Sequence, residues 1–399
     1  MKKKVLSLML VASMAAGLLA GCGSTSASSS SASSSDSAEA EAADGEVFKI
    51  GGIGPITGAA AIYGSAVRNA EQIAVDEINA AGGINGYQVA LQFEDDEHDA
   101  EKSVNAYNTL KDWGMQILAG TVTTTPCIAV TDKTAEDGMF QITPSASSTN
   151  VIANDNVFQV CFTDPNQGTA SAQYIAEKAL GSKIGVIYDS SDVYSSGIYA
   201  KFKTEAEAQG LEIVSESAFT ADSNTDFSVQ LQSAKDAGAD LLFLPFYYQQ
   251  AAIVLKQAND MGYEPTFFGV DGMDGILTLE NFDTSLAEGV ILLTPFAADA
   301  TDDLTKSFVA KYEELYGETP NQFAADAYDA IYIIKAAIEA AGVTPDMSVA
   351  DIGTALKEAI TTVTYDGLTG TGMQWEATGE VNKDPKGVVI QNGAYVSID

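Results

Sequence analysis

Residues Gly120–Ser148, GTVTTTPCIAVTDKTAEDGMFQITPSASS, carry the pattern that decides the fold. An apolar run, Ile117-Leu118-Ala119, ends at Gly120 and leads into Thr121, Thr123, Thr124, Thr125 and Pro126. Pro is favoured at the first position of a helix, and a Thr ahead of it can cap. The reading is strand, hydroxyl-rich loop, helix. Such a helix start gathers four N–H groups without intrahelical partners and about half a positive charge. It accepts a carboxylate with no help from Arg or Lys. Phe140-Gln141-Ile142-Thr143 reads as the next strand and runs into Pro144-Ser145-Ala146-Ser147-Ser148, a second loop of small hydroxyl residues. Two adjacent parallel strands would place both loops at one sheet edge, where open α/β sheets bind ligands. Taken alone, the pattern also fits two ordinary βα loops, because Thr and Ser are common there.

Strand and helix patterns alternate on both sides of this stretch. Strands are expected at 47–53, 87–93, 157–162, 183–188, 211–219, 240–244 and 265–269. Between them, Val67, Ala70, Ile73, Ala74 and Ile78 recur at helical spacing and stop at Gly82-Gly83. Further helices are expected at 100–113 and 168–180. A return strand is expected at 290–295, helices at 302–316, 322–341 and 349–360, and antiparallel strands in the Gly-rich tail from 368 to 398. This order is the signature of doubly wound parallel sheets. The strands are too many for one core, so two lobes are expected. No internal repeat with a period of 20–50 residues occurs.

The chain has 399 residues, enough for two domains, with 46% hydrophobic and 19% charged side chains. A net charge of −35 argues against nucleic acid as a partner. Lys2, Lys3 and Lys4 precede an apolar run over residues 5–20, too short and too early for a membrane span. The run ends Leu19-Ala20-Gly21-Cys22, which resembles the bacterial lipoprotein signal. Residues 1–21 are read as the signal peptide, with diacylglycerol on the Cys22 thiol. Residues 22–46 are Ser/Ala-rich, then acidic, and carry too little apolar surface to fold; they read as a flexible tether. The lipid is the expected membrane attachment, on the extracytoplasmic face. Outside the cell, Cys127 and Cys161 could pair; two buried free thiols fit the sequence equally.

Gly52-Ile53-Gly54-Pro55-Ile56-Thr57-Gly58 follows a strand and imitates a dinucleotide fingerprint. Pro55 removes a backbone donor that a pyrophosphate needs, and Thr57 stands where the third Gly or Ala belongs. Nucleotide binding is rejected. The single His, His98, lies in the acidic run 94–99 and reads as part of a solvated loop. GxSxG, HExxH and CxxC are absent from the sequence. No catalytic residue, metal or cofactor is expected.

In order and spacing, several segments resemble the branched-chain amino-acid binding proteins, the type I solute-binding proteins of ABC importers. They are Ile50 to Gly58 followed by Tyr63-Gly64, then Ile78-Asn79-Ala80-Ala81-Gly82-Gly83-Ile84-Asn85-Gly86 and Asp95-Asp96. Ile142 to Ser147, Asp164-Pro165-Asn166-Gln167-Gly168, Tyr316-Gly317 and Tyr328-Asp329-Ala330 complete the set. The resemblance implies two α/β lobes joined by three crossovers, near Thr163, Thr294 and Tyr365. Lobe one would be 47–163 plus 295–364, and lobe two 164–294 plus 365–399. It also implies an amino acid held between them. Its carboxylate would meet Thr123, Thr124, Ser145 and Ser147, and its ammonium Asp271, where the best-known members carry Glu. Tyr63, Tyr194 and Tyr247 match the family's aromatic positions.

Physical chemistry agrees with that division. A free amino acid is a zwitterion, and one lobe offers neutral donors and a helix start to its carboxylate. The other offers a carboxylate to its ammonium, a charge-assisted pair. The implied partner is an ABC permease, and a monomer is expected. Leu, Ile and Val are the family's usual cargo. A sensor that presents an amide, a urea-like solute or an aromatic acid to a receptor is the alternative.

Overall fold

The computed structural model describes residues 46–398. Cys22, the signal peptide and all of the tether but its last residue lie outside them. The first sheet is built from β1 (Phe48–Gly54), β2 (Val89–Asp95), β3 (Ile117–Gly120), β4 (Phe140–Thr143) and β5 (Val157–Gln159). Its order is β2-β1-β3-β4-β5, and every pairing is parallel. Between these strands run α1 (Ala61–Ala80), α2 (Ala100–Trp113) and α3 (Thr124–Glu136).

The chain then enters α4 (Asp164–Glu177) and builds a second sheet. β6 (Lys183–Asp189), α5 (Val193–Gln209), β7 (Glu212–Phe219), α6 (Ser228–Asp236), β8 (Leu241–Leu244), α7 (Tyr248–Asp260), β9 (Thr266–Gly269) and β10 (Ile291–Thr294) follow. It returns through α8 (Asp303–Tyr316), α9 (Gln322–Ala341) and α10 (Val349–Ile360), of which α9 and α10 pack on β4. A last passage leads to β11 (Lys386–Gln391) and β12 (Ala394–Ser397). The second sheet has the order β12-β11-β10-β9-β8-β6-β7. It is parallel from β10 to β7, and β11 runs antiparallel to β10 and β12.

The central strands β3, β4, β8 and β10 are buried along their whole length. β3 and β8 accordingly read as continuous apolar runs, whereas in β4 the buried Gln141 and Thr143 side chains donate to the Gly120 and Thr121 carbonyls. Helix ends follow local chemistry. Asp99 caps α2 by accepting from the Glu101 and Lys102 amides, and Gly114 closes it in the left-handed region. α4 begins four residues earlier than the apolar spacing indicates, because Thr163 caps it and Pro165 sits in its first turn. Two glycines allow close packing. A Cβ on Gly64 would lie 2.1 Å from the Pro55 carbonyl oxygen, so α1 reaches the loop after β1 only with Gly there. A Cβ on Gly168 would lie 2.3 Å from the Ile198 carbonyl oxygen, and this is where α4 meets α5. Cys127 and Cys161 are both buried free thiols, which resolves the alternative left open by the sequence.

Candidate functional site

The ends of β3 and β4 are tied to each other by hydroxyl groups. Thr143 Oγ1 donates to the Thr121 carbonyl at 2.6 Å, and Ser145 Oγ donates to the Val122 carbonyl at 2.6 Å. The Ala146 amide donates to Thr143 Oγ1 at 2.9 Å. The helix start differs from the sequence reading. α3 begins at Thr124, with Thr123 as N-cap, rather than at Pro126 behind Thr125. Pro126 sits two residues later in the first turn, where an N–H has no intrahelical acceptor to lose. The amides of Thr124 and Thr125 therefore open the helix. The Thr123 side chain makes no cap bond and pairs instead with His98 Nδ1 at 2.9 Å.

The facing wall belongs to the second sheet. Asp271 follows β9 and is 4% exposed. Its Oδ1 accepts from the Tyr194 hydroxyl at 2.5 Å and from the Gly272 amide at 2.7 Å. Burial outweighs these bonds and pushes its carboxyl up to about 7. Tyr194, on α5, stacks on Tyr247 with ring centres 4.9 Å apart. Tyr63, on α1, donates across the cleft to the Gly272 carbonyl and packs on Phe323 at 4.3 Å.

Tyr63, Thr123, Thr124, Ser145, Tyr194, Tyr247 and Asp271 all line one cavity of about 10 Å³. That is room for about one water molecule, so the walls must part to admit anything larger. Ser147 does not line it. Its carbonyl accepts from the Asp164 amide at 2.9 Å, and its hydroxyl faces the buried Asp164 carboxyl. Phe323 and Gly272 share the lining and were missed by the sequence reading.

His98 corrects an expectation. It is half-buried rather than solvated, bonded to Thr123 and edge-on to Tyr247 at 5.5 Å. Burial holds its imidazole below the usual range, so it is neutral at pH 7. The acids around it build the turn that places it. Asp95 Oδ1 accepts from the Ile56 and Glu97 amides, and Asp96 Oδ1 from the His98 amide, each at 2.9 Å. Among the described residues, no group of His, Cys, Asp or Glu is placed to hold a metal.

The buried acids predict a pH dependence. Burial raises Asp96 and Asp271 to about 7, and Asp274 and Asp329 to about 6. The folded chain then binds more protons than the unfolded one between about pH 4 and 7. Their contribution is complete below the unfolded pKa and is lost as pH rises through the folded values. His98, whose imidazole burial holds below its usual range, acts in the opposite direction. Calorimetric melting without added solute should give a lower Tm at pH 8 than at pH 5; an equal or higher Tm at pH 8 contradicts this account.

A family described as periplasmic binding protein matches residues 47–394. Leu/Ile/Val-binding protein BraC3 of Rhizobium johnstonii is 31% identical over 329 residues, covering 80% of this chain and 88% of that one. Leu/Ile/Val-binding protein homolog 3 of Brucella melitensis is 30% identical over 322 residues, covering 79% and 86%. The branched-chain amino acid transporter substrate-binding protein LivJ of Streptococcus pneumoniae, solved in complex with isoleucine, superposes with a TM-score of 0.79. It is 27% identical, and the match covers 88% of this chain and 99% of that one. The two sheets and their shared cleft are those of the type I periplasmic binding protein fold. By sequence and by architecture, the chain belongs to the periplasmic binding protein family, as a relative of the Leu/Ile/Val-binding proteins.

Proposed function

We propose that the protein is the extracytoplasmic solute-binding lipoprotein of an ABC importer and captures a free amino acid between two closing lobes. The observation that carries this reading is one cavity with two unlike walls. Thr123 and Thr124 at a helix start form one, and the Asp271 carboxyl forms the other. A zwitterion satisfies both at once, and closure desolvates its two ends together. Lobe one is residues 47–163 with 295–364, and lobe two is 164–294 with 365–399. The names of the relatives make aliphatic side chains the starting class. Binding and release, rather than turnover, is the proposed activity.

A thermal-shift and calorimetry panel of free amino acids, urea, short amides and benzoates tests the reading. At least one free amino acid should bind saturably, and its N-acetyl and amide derivatives should not. Tighter binding of urea or a benzoate than of every amino acid overturns it. The lipid anchor has its own test. Cys22→Ser should leave solute binding intact and move the protein out of the membrane fraction; retention there refutes the anchor.

A further inference from the structure

Tyr247 lines a second cavity, of about 320 Å³, beside the small one. That volume lies at the lower end of the range for small-molecule sites, roughly 300–1,000 Å³. His98 links the two spaces, since it lines the larger and is bonded to Thr123 in the smaller. One side of the larger cavity comes from the first sheet's loops, through Ala59, His98 and Thr125. Asp189, Asp192 and Gln250 come from the second. Among the described residues that line it, none is Lys or Arg.

The carboxylates are the unusual feature. Asp192 caps α5, its Oδ2 accepting from the Ser195 amide at 3.4 Å, and its carboxyl faces the Tyr247 hydroxyl. Asp189 takes both of its Ser191 contacts on one oxygen, Oδ1. Asp164, at the start of α4, is 2% exposed, and its carboxyl faces the Ser147 hydroxyl. Asp164, Asp192 and Asp271 all act electrostatically on Tyr247. Asp189 and Asp192 both line the larger cavity, and no Lys or Arg stands beside them in either lining to balance their carboxyls. An aliphatic group entering this space would strip water from Asp192 and give nothing back. A cation would pair with the acids and lie against the aromatic rings of Tyr247, Phe219 and Phe246.

We propose that the captured solute carries a second cationic group at its far end, seated beyond Tyr247 against Asp192 and Asp189, so that the cargo class is a basic amino acid. This rests on the capture of a free amino acid proposed above and departs from the aliphatic class that the relatives' names indicate.

Calorimetry on the full chain with four probes tests it: L-lysine, L-norleucine, L-leucine and 1,5-diaminopentane. Norleucine keeps the lysine stem without its terminal ammonium, and the diamine keeps both amines without the carboxylate. Lysine should bind at least about tenfold more tightly than norleucine, a gap of about 1.4 kcal/mol. Asp192→Asn, which retains helix-capping ability, should reduce that ratio to below about threefold. If this variant does not fold, Asp189→Asn and the wild-type ratio still decide. Norleucine or leucine binding as tightly as lysine overturns the inference and leaves amino-acid capture standing. The diamine binding as tightly as lysine keeps the second cation site and overturns the carboxylate grip. Binding of none of the four overturns both.

Discussion

Asp271→Asn should weaken amino-acid binding by about 2–5 kcal/mol, the usual cost of truncating one partner of a buried charge pair. The side chain keeps its shape and loses its charge. The Tyr194 hydroxyl and the Gly272 amide, which donate to Oδ1 at 2.5 and 2.7 Å, then have a neutral acceptor. Without solute the same change should act in the opposite direction. Burial holds this carboxyl near 7, so ionising it at pH 8 costs stability that an amide does not lose. The variant should therefore melt higher at pH 8 while binding more weakly. Calorimetry showing wild-type affinity would remove Asp271 from the site. A lower melting temperature at pH 8 would show that its charge stabilises the fold.

Lys383→Ala should cost about 3–5 kcal/mol of folding stability, because it strands a buried acid. Lys383 Nζ lies 2.6 Å from Asp326 Oδ1, and the two side chains are 0% and 2% exposed. The same ammonium donates to Thr369 Oγ1 at 2.6 Å. One turn along α9, Asp329 accepts from the Leu368 and Thr369 amides at 2.9 Å and from the Thr369 hydroxyl at 2.7 Å. These contacts fix the passage from α10 to β11. Even with Lys383 in place, burial keeps the Asp326 carboxyl above its usual range. Asp326→Leu with Lys383→Met should recover most of the loss, since removing the acid together with the base strands neither partner of the pair. Urea unfolding with an unchanged midpoint for Lys383→Ala would show that the pair carries no such weight.

The alternation of strands and helices was legible because each element has a local cause. Helices 322–341 and 349–360 are found at those same positions, as α9 and α10. The antiparallel tail is also found, as β11 and β12. Seven of the eight expected ligand contacts share a cavity, because strand-end loops and a strand-end acid have few places to go once the sheet order is set. What sequence missed depends on distant neighbours. His98 was read as solvated because a lone His among acids gives no signal, and only folding brings Tyr247 and Thr123 to it. Ser147 was read as a ligand contact, but its hydroxyl faces Asp164, at the start of the next helix. The Lys383–Asp326 pair spans 57 residues and left no trace in spacing.

The tie between the β3 and β4 ends has a kinetic consequence. Thr143 and Ser145 give their protons to the Thr121 and Val122 carbonyls, so this rim is ordered by the fold itself and not by what arrives. The entropy of arranging it is lost once, during synthesis, and is not charged again at each encounter. Under the proposed capture between closing lobes, a solute should meet the first half alone before the second closes over it. Arrival should then follow diffusion, and the slower swing should govern how long the passenger stays.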